Sequence, residues 1–336
     1  MNQHSPAGPE PSRPLTVVSI VGPGRSGSTL LARILGELPG ALNVGELRWL
    51  WTRGLQERRP CSCGVPPAEC PLWSGALTRL FGEIPAGSAP AVLEITSAQQ
   101  RLAQRRWASA GMRTDWHHAT LRAAMEVVRA ATGGILDALA AETGARLVVD
   151  SSKRPLDAAV LAGVPGITQH VVHLVRDPRA VAYSWSRTKP LPKGSAREVM
   201  ARRSAQSSAA RWVESMVGSG RLRGQVPGDR WHVMRYEDLV ADPVAQLRKL
   251  GERLGEPVPA ALRKDGIALS LGHTVAGNPS RFATGDIAIQ ADDEWVHSMP
   301  GGDRLVVTAL TLPWLQRFGY PIGQPVLESR RRRTAA

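Results

Sequence analysis

Residues 22–31 read GPGRSGSTLL and follow the apolar run TVVSIV at 16–21. A glycine-rich turn between a strand and a helix aims backbone N–H groups and the positive end of a helix dipole at one point, which suits an anion. Gly22 and Gly27 keep the spacing of the phosphate-cradling pattern G-x-x-x-x-G-K-[ST], but Ser28 stands in the lysine position, with Thr29 after it. Arg25 and Ser26 sit inside the turn, and a guanidinium there can direct two hydrogen bonds at an anion without a metal ion. No apolar strand ends in an acidic pair that would complete a magnesium site. The plain alternative is a glycine turn that only packs a helix on a strand.

The elements that must position this loop follow from the pattern around it. TVVSIV (16–21), RLVVD (146–150), QHVVHLV (169–175) and WHVMRY (231–236) are short β-branched runs of the kind buried on both faces of a parallel sheet, and ALNVGE (41–46) reads as a further strand ending beside the loop. Helical stretches are expected at 28–38, 97–142, 154–162, 200–217 and 243–254, the last opening on Asp242 as N-cap and Pro243 as first residue. Alternation of this kind predicts an α/β fold: three αβα layers with a central parallel sheet, like that of P-loop nucleoside triphosphatases (P-loop NTPase-like). Segments 52–92 and 186–198, rich in Gly, Pro and Ser, are expected to be loops or small insertions. One domain over 15–322 is expected, between a disordered leader (1–14) and a basic tail (323–336).

Composition narrows the partners. The 336 residues carry 42 Lys+Arg against 29 Asp+Glu, a formal charge of +13 that favours nucleic acid, acidic lipid or a multiply phosphorylated small molecule. Part of the excess is the RRRR run at 330–333, which reads as a solvated tail. The leader has four prolines and no apolar block, and no apolar run reaches the ~18 residues of a membrane helix, so a cytoplasmic chain without a membrane span is expected. Three cysteines, Cys61, Cys63 and Cys70, crowd into PCSCGVPPAECPLW; an odd count argues against a disulfide framework. They could hold zinc if a histidine joined them, but C-x-C-x6-C is not the usual C-x2-C knuckle. The expectation is a reduced, turn-rich loop and no metal.

GPGRSGSTLL resembles the 5′-phosphosulfate loop of the sulfotransferases that use 3′-phosphoadenosine 5′-phosphosulfate (PAPS), in particular the bacterial and tyrosylprotein-type branches with arginine in the loop. HLVRDPRAVAYSWSR (173–187) is similar to the second family element, in which an arginine after a strand and a serine eight residues on grip the 3′-phosphate; here these are Arg176 and Ser184. NVGE (43–46), DSSK (150–153), RYEDLVADP (235–243) and GNPSRF (277–282) are also family-like, so the resemblance spans residues 17–295. It implies PAPS as co-substrate, no metal, and transfer of a sulfuryl group to a hydroxyl or amine of a small-molecule or peptide acceptor.

Elementary chemistry agrees with that implication. A sulfuryl group carries less charge than a phosphoryl group, so fixed cations and backbone N–H groups can stabilise its transfer without bridging magnesium. The acceptor hydroxyl needs a base, and Glu46 is the candidate: it ends a strand beside the loop, and the tyrosylprotein-type branch uses glutamate at the matching place. Glu46 could equally be a helix-start carboxylate ahead of LRWLW, and His117 and His118 compete because the cytosolic branch uses histidine. Lys153 could reach the bridging or sulfuryl oxygens, or could simply be the exposed first turn of a helix capped by Asp150 or Ser151. Tyr236 matches a tyrosine near the adenine, or is core. Arg281 would add a late 3′-phosphate contact, although the Arg-Lys-Gly triplet of the cytosolic branch is missing. Trp49, Trp51, Trp73 and Trp185 could line the acceptor pocket or fill the core.

Two readings from other classes stand beside this one. A P-loop small-molecule kinase shares the fold but needs the lysine and metal ligands lacking in the loop. A basic nucleic-acid-binding protein fits the charge, but no recognition motif is visible and aromatic content is 5%.

Overall fold

Five short runs with apolar residues on both faces line up as one parallel sheet. In the computed structural model, which describes residues 14–104, 119–187 and 202–323, the strands are β1 (Leu15–Val21), β2 (Ala41–Gly45), β3 (Leu147–Lys153), β4 (Ile167–Val175) and β5 (Trp231–Arg235). Their order is β2-β3-β1-β4-β5, and all four pairings are parallel. β1 therefore lies in the middle, and its carboxyl end feeds the glycine loop at the centre of the sheet edge. The register between β1 and β3 slips between Ser19 and Val21, so the end of β3 bulges beneath that loop.

Successive residues of the central strands face opposite layers. Val17 and Val148 pack with α2 (Pro71–Phe81), α3 (Pro90–Gln104) and α4 (Ala119–Thr143), whereas Val18 and Val149 pack with α1 (Ser28–Gly36). On the first face α5 (Pro155–Leu161) covers Val21 and Val171; α6 (Pro178–Ser186) and α7 (Ala205–Arg223) pack at the β4 side. After β5, α8 (Tyr236–Ala241) and α9 (Pro243–Leu254) join the α1 layer, with Asp242 capping α9 through Ala245 N–H at 2.9 Å. A small antiparallel pair, β6 (Gly266–Leu269) and β7 (Gly285–Ala288), extends this layer, and α10 (Trp295–Ser298) and α11 (Gly301–Arg317) close against α6 and α7. This is the three-layer αβα arrangement the alternation predicts.

Segment 52–92 departs from the expected loop. It holds a wide helical turn over Leu50–Gln56, the whole of α2 and the start of α3. Pro71 marks the first residue of α2 and Gly82 its end, and Trp73, Ala76 and Leu77 form a buried face between them. Proline and glycine punctuate the helix here; they do not exclude it. Most of 186–198, the leader up to residue 13, the tail from 324, and His117 with His118 lie outside the described residues.

Candidate active site

The loop after β1 is shaped by two close approaches. A Cβ at Gly22, whose φ is +144°, would lie 2.2 Å from the Leu174 carbonyl oxygen, and a Cβ at Gly27 (φ +84°) would lie 2.5 Å from the Tyr236 ring. Both positions demand glycine, for space and for backbone conformation. Gly27 also precedes α1, which no side chain caps, so the first N–H groups of Ser28, Thr29 and Leu30 remain available to an anion. Arg25 adopts φ +73°, an uncommon conformation for a side chain, held in the middle of the turn.

Cations converge on this loop from three elements. Arg176, immediately after β4, donates to the Arg25 carbonyl at 2.9 Å and to Asp292, whose carbonyl lies at 3.0 Å and carboxylate at 3.2 Å. Its guanidinium stacks 4.4 Å from the Tyr236 ring centroid. Arg25 and Arg203 lie 4.9 and 3.8 Å from the Trp185 ring centroid. Burial, followed by the neighbouring Arg187 and Arg176, lowers the pKa of Arg25; burial, Arg211 and Arg25 do the same to Arg203. Like charges held together in partly buried surroundings suit a ligand of opposite charge. Ser184, buried on α6, faces the same cleft as Arg176.

Glu46 stands on the opposite side of the loop, one residue past β2. Its carboxylate is ion-paired with the Lys153 ammonium and accepts from Trp49 Nε1 at 3.1 Å. Lys153 is the last residue of β3, with φ +71°, and its carbonyl accepts from Gly22 N–H at 3.0 Å. It belongs to the bulged strand, so the reading as an exposed helix turn does not hold. Asp150 and Ser151 do not cap α5 either, whose N-cap is Arg154. The fully buried Asp150 carboxylate instead accepts from Leu47 N–H at 3.2 Å, Ser152 N–H at 2.9 Å and the Ser152 hydroxyl at 2.6 Å. Those bonds fasten the turn that carries Glu46 to β3. Desolvation raises the Asp150 pKa to about 6, against the Ser152 bonds that lower it.

A cleft of about 1170 Å³ gathers most of the expected residues: Arg25, Gly27, Ser28 and Thr29 from the loop, Glu46 and Lys153 on one side, and Arg176, Ser184 and Tyr236 on the other. Ser26 and Arg281 do not line it. Ser26 is buried under the loop, its hydroxyl without a hydrogen-bond partner among the described residues. Arg281 donates to the Gly277 carbonyl at 3.1 Å and the Pro60 carbonyl at 3.2 Å, holding the turn whose Gly277 lies beside Glu46 and Thr29. Of the tryptophans, Trp49 and Trp185 line the cleft; Trp51 and Trp73 are core.

Sequence reasoning missed several lining residues. Arg48 and Arg53 each stack 3.9 Å from the Trp49 ring centroid next to Glu46, and Asp292 reaches Arg176 from 116 residues away. An arginine pair five residues apart around a tryptophan was visible in LRWLWTR; Asp292 carried no local signal. Among the described residues, no group of three metal-ligating side chains forms at the loop. The arrangement can bind a polyanion through N–H groups and guanidinia, with a carboxylate aimed at the same place.

The model of the sulfotransferase family matches residues 18–260. Among solved structures, the chain is similar to the sulfotransferase domain from the Synechococcus PCC 7002 olefin synthase, with 21% identity, a TM-score of 0.50, and 93% of this chain and 98% of that one covered. It is also similar to the sulfotransferase domain from the curacin biosynthetic pathway, with 17% identity, a TM-score of 0.48, and 93% and 100% covered. A third likeness, to a sulfotransferase from Alicyclobacillus acidocaldarius, has 15% identity, a TM-score of 0.39, and 94% and 98% covered. At 21% identity the first of these likenesses speaks for the fold alone. No curated protein matches the chain.

Proposed function

Because the chain belongs to the sulfotransferase family, we propose that it transfers a sulfuryl group from PAPS to a hydroxyl or amine of a small-molecule or peptide acceptor, with Glu46 as general base. The observation that carries this reading is the placement of Glu46 and Lys153 across the anion loop from Arg176 and Ser184 in one cleft. The residues present fit such a donor. Buried groups without partners among the described residues, Ser26 Oγ and Arg176 Nε, lie at the loop, and the uncapped start of α1 opens onto the cleft.

When bound, PAPS would supply a sulfuryl group that passes from its 5′-phosphate oxygen to the acceptor oxygen or nitrogen, leaving 3′,5′-diphosphoadenosine and a sulfate ester or sulfamate. The loop from Arg25 to Thr29 holds the 5′ side with N–H groups and one guanidinium. Arg176 and Ser184 hold the 3′-phosphate, and Tyr236, packed on Gly27 and Arg176, borders the adenine. Glu46 takes the acceptor proton. Lys153 orients that carboxylate and places a positive charge where the leaving oxygen develops negative charge, the arrangement that stabilises a transition state most effectively in a water-poor cleft. Arg281 acts on the Gly277 turn as a positioning residue.

No step in this account needs a metal ion. The kinase reading is disfavoured by Ser28 in the lysine position, and the arginines that line the cleft suit a polyanionic nucleotide. The direct test is incubation with sulfur-labelled PAPS and a panel of phenols, sugars, lipids and peptides. Acceptor-dependent labelling supports the proposal. Phosphoryl transfer from ATP with no sulfuryl transfer to any acceptor sinks it.

A further inference from the structure

The cysteine loop is completed by a residue that no local spacing announces. His273, from the segment that runs along the outer edge of β2, brings Nδ1 to 3.1 Å from Cys70 Sγ. The ligand atoms of Cys61, Cys63, Cys70 and His273 all lie within 4.8 Å of one another. Four donors around a zinc ion, at Zn–S ≈ 2.3 Å and Zn–N ≈ 2.0–2.1 Å, stand roughly 3.5–3.8 Å apart along the tetrahedron's edges. The ligand atoms therefore stand within about 1 Å of the separations of a closed Cys3His shell. We propose that Cys61, Cys63, Cys70 and His273 bind one structural Zn²⁺ that staples the cysteine loop to the segment preceding Gly277.

The surroundings are organised as a metal site requires. Cys61 and Cys70 are fully buried, so their sulfur atoms meet one another, Cys63 and His273 and not water. A tight turn, with Gly64 N–H on the Cys61 carbonyl at 2.9 Å, puts Cys61 and Cys63 on one side of the loop. Cys70 is the N-cap residue of the eleven-residue α2, which places its sulfur at the helix end that favours a thiolate. A second layer fixes the ligands: Trp73 Nε1 donates to the His273 carbonyl at 2.8 Å, and Ser62 exchanges bonds with Gly272 and Thr274 on either side of His273. Three thiolates and Zn²⁺ leave one negative charge, and the Arg281 guanidinium stands beside it on the Pro60 carbonyl.

Tetrahedral sulfur and imidazole ligation selects zinc over the oxygen-seeking ions, and a closed four-ligand shell is structural, with no open position for chemistry. The cross-link joins residues 203 positions apart, where loop closure otherwise opposes order. Val275 N–H donates to the Val44 carbonyl at 3.1 Å, so the stapled segment supports β2 just ahead of Glu46. The inference does not depend on the donor or acceptor of the transfer reaction.

Elemental analysis of the full-length protein, produced in zinc-supplemented medium without a metal-binding tag, tests the site. About one zinc per chain is expected, released when a mercurial blocks the thiols and reported by a chromogenic chelator. Replacement by Co²⁺ in the wild-type protein should give thiolate-to-cobalt charge-transfer and tetrahedral ligand-field bands. Cys63→Ser and His273→Ala should each weaken retention against a competing chelator by about tenfold or more. Should those variants fail to fold, the cobalt spectrum of the wild type decides. Less than about a tenth of an equivalent of zinc together with no cobalt bands overturns the proposal, and so does a disulfide among the three cysteines in protein prepared under reducing conditions.

Discussion

The Lys153 ammonium is ion-paired with the Glu46 carboxylate, joining the bulged end of β3 to the residue that follows β2. Both side chains are mostly buried, at 16% and 14% exposure, so the pair is more than a surface contact. It holds the carboxylate at the mouth of the anion loop, and the Trp49 indole fixes its second oxygen.

If Glu46 takes the acceptor proton, Glu46→Gln keeps the size and the Trp49 bond but removes the basicity. Turnover should fall by roughly 10²-fold or more. Affinity for 3′,5′-diphosphoadenosine should hardly change, because the phosphate contacts come from other residues. The double replacement His117→Ala with His118→Ala should retain most activity. A dead histidine variant beside an active glutamine variant would transfer the role to histidine.

Arg176 and Ser184 line the same side of the cleft; if they grip a 3′-phosphate, 3′,5′-diphosphoadenosine should bind better than 5′-AMP. A charge-assisted contact contributes on the order of 1.5–3 kcal/mol. Titration calorimetry should show that preference in the wild type and its loss in Arg176→Ala. Equal affinities in the wild type would refute the assignment.

Turnover should be the same with and without added magnesium. Glu46 is committed to Lys153, and Asp292 to Arg176 and Arg187, so neither carboxylate is arranged with Ser28 and Thr29 as a magnesium shell. An absolute magnesium requirement in steady-state assays would mean that the loop has been misread.

Asp150 links stability to pH. Its folded pKa of about 6 lies above the ~3.9 of an unfolded aspartate, so between those values the folded state holds the proton more tightly. Below about pH 4 both states are protonated and above about pH 6 both are ionised; across that window ionisation penalises the fold as pH rises. Relative to Asp150→Asn, the wild type should lose up to roughly 3 kcal/mol between pH 4 and 6 and stay level above it. Urea unfolding of both proteins across that range checks this; a constant difference, or one that grows in the wild type's favour, would contradict it.

The parts legible in the sequence are those whose cause is local. A β-branched run followed by GPGRSGSTLL states its own strand, turn and helix, because the turn itself needs positive φ at Gly22 and Gly27, which glycine supplies without strain. The same holds for Asp242 and Pro243 at the start of α9, and for the parallel sheet, since strands apolar on both faces need a layer on each side. Tertiary structure alone decided the rest, by bringing together residues with no shared local pattern. Lys153 meets Glu46 across 107 residues, Asp292 meets Arg176 across 116, and His273 meets Cys70 across 203. DSSK reads as a helix start until the slip beside β1 is known, and then it is a bulge that aims one ammonium. CSCG through Cys70 reads as a plain turn until the chain returns along β2 with a histidine. Spacing in sequence records what one element does to itself; a site assembled from the ends of several strands is set by the packing that aligns them.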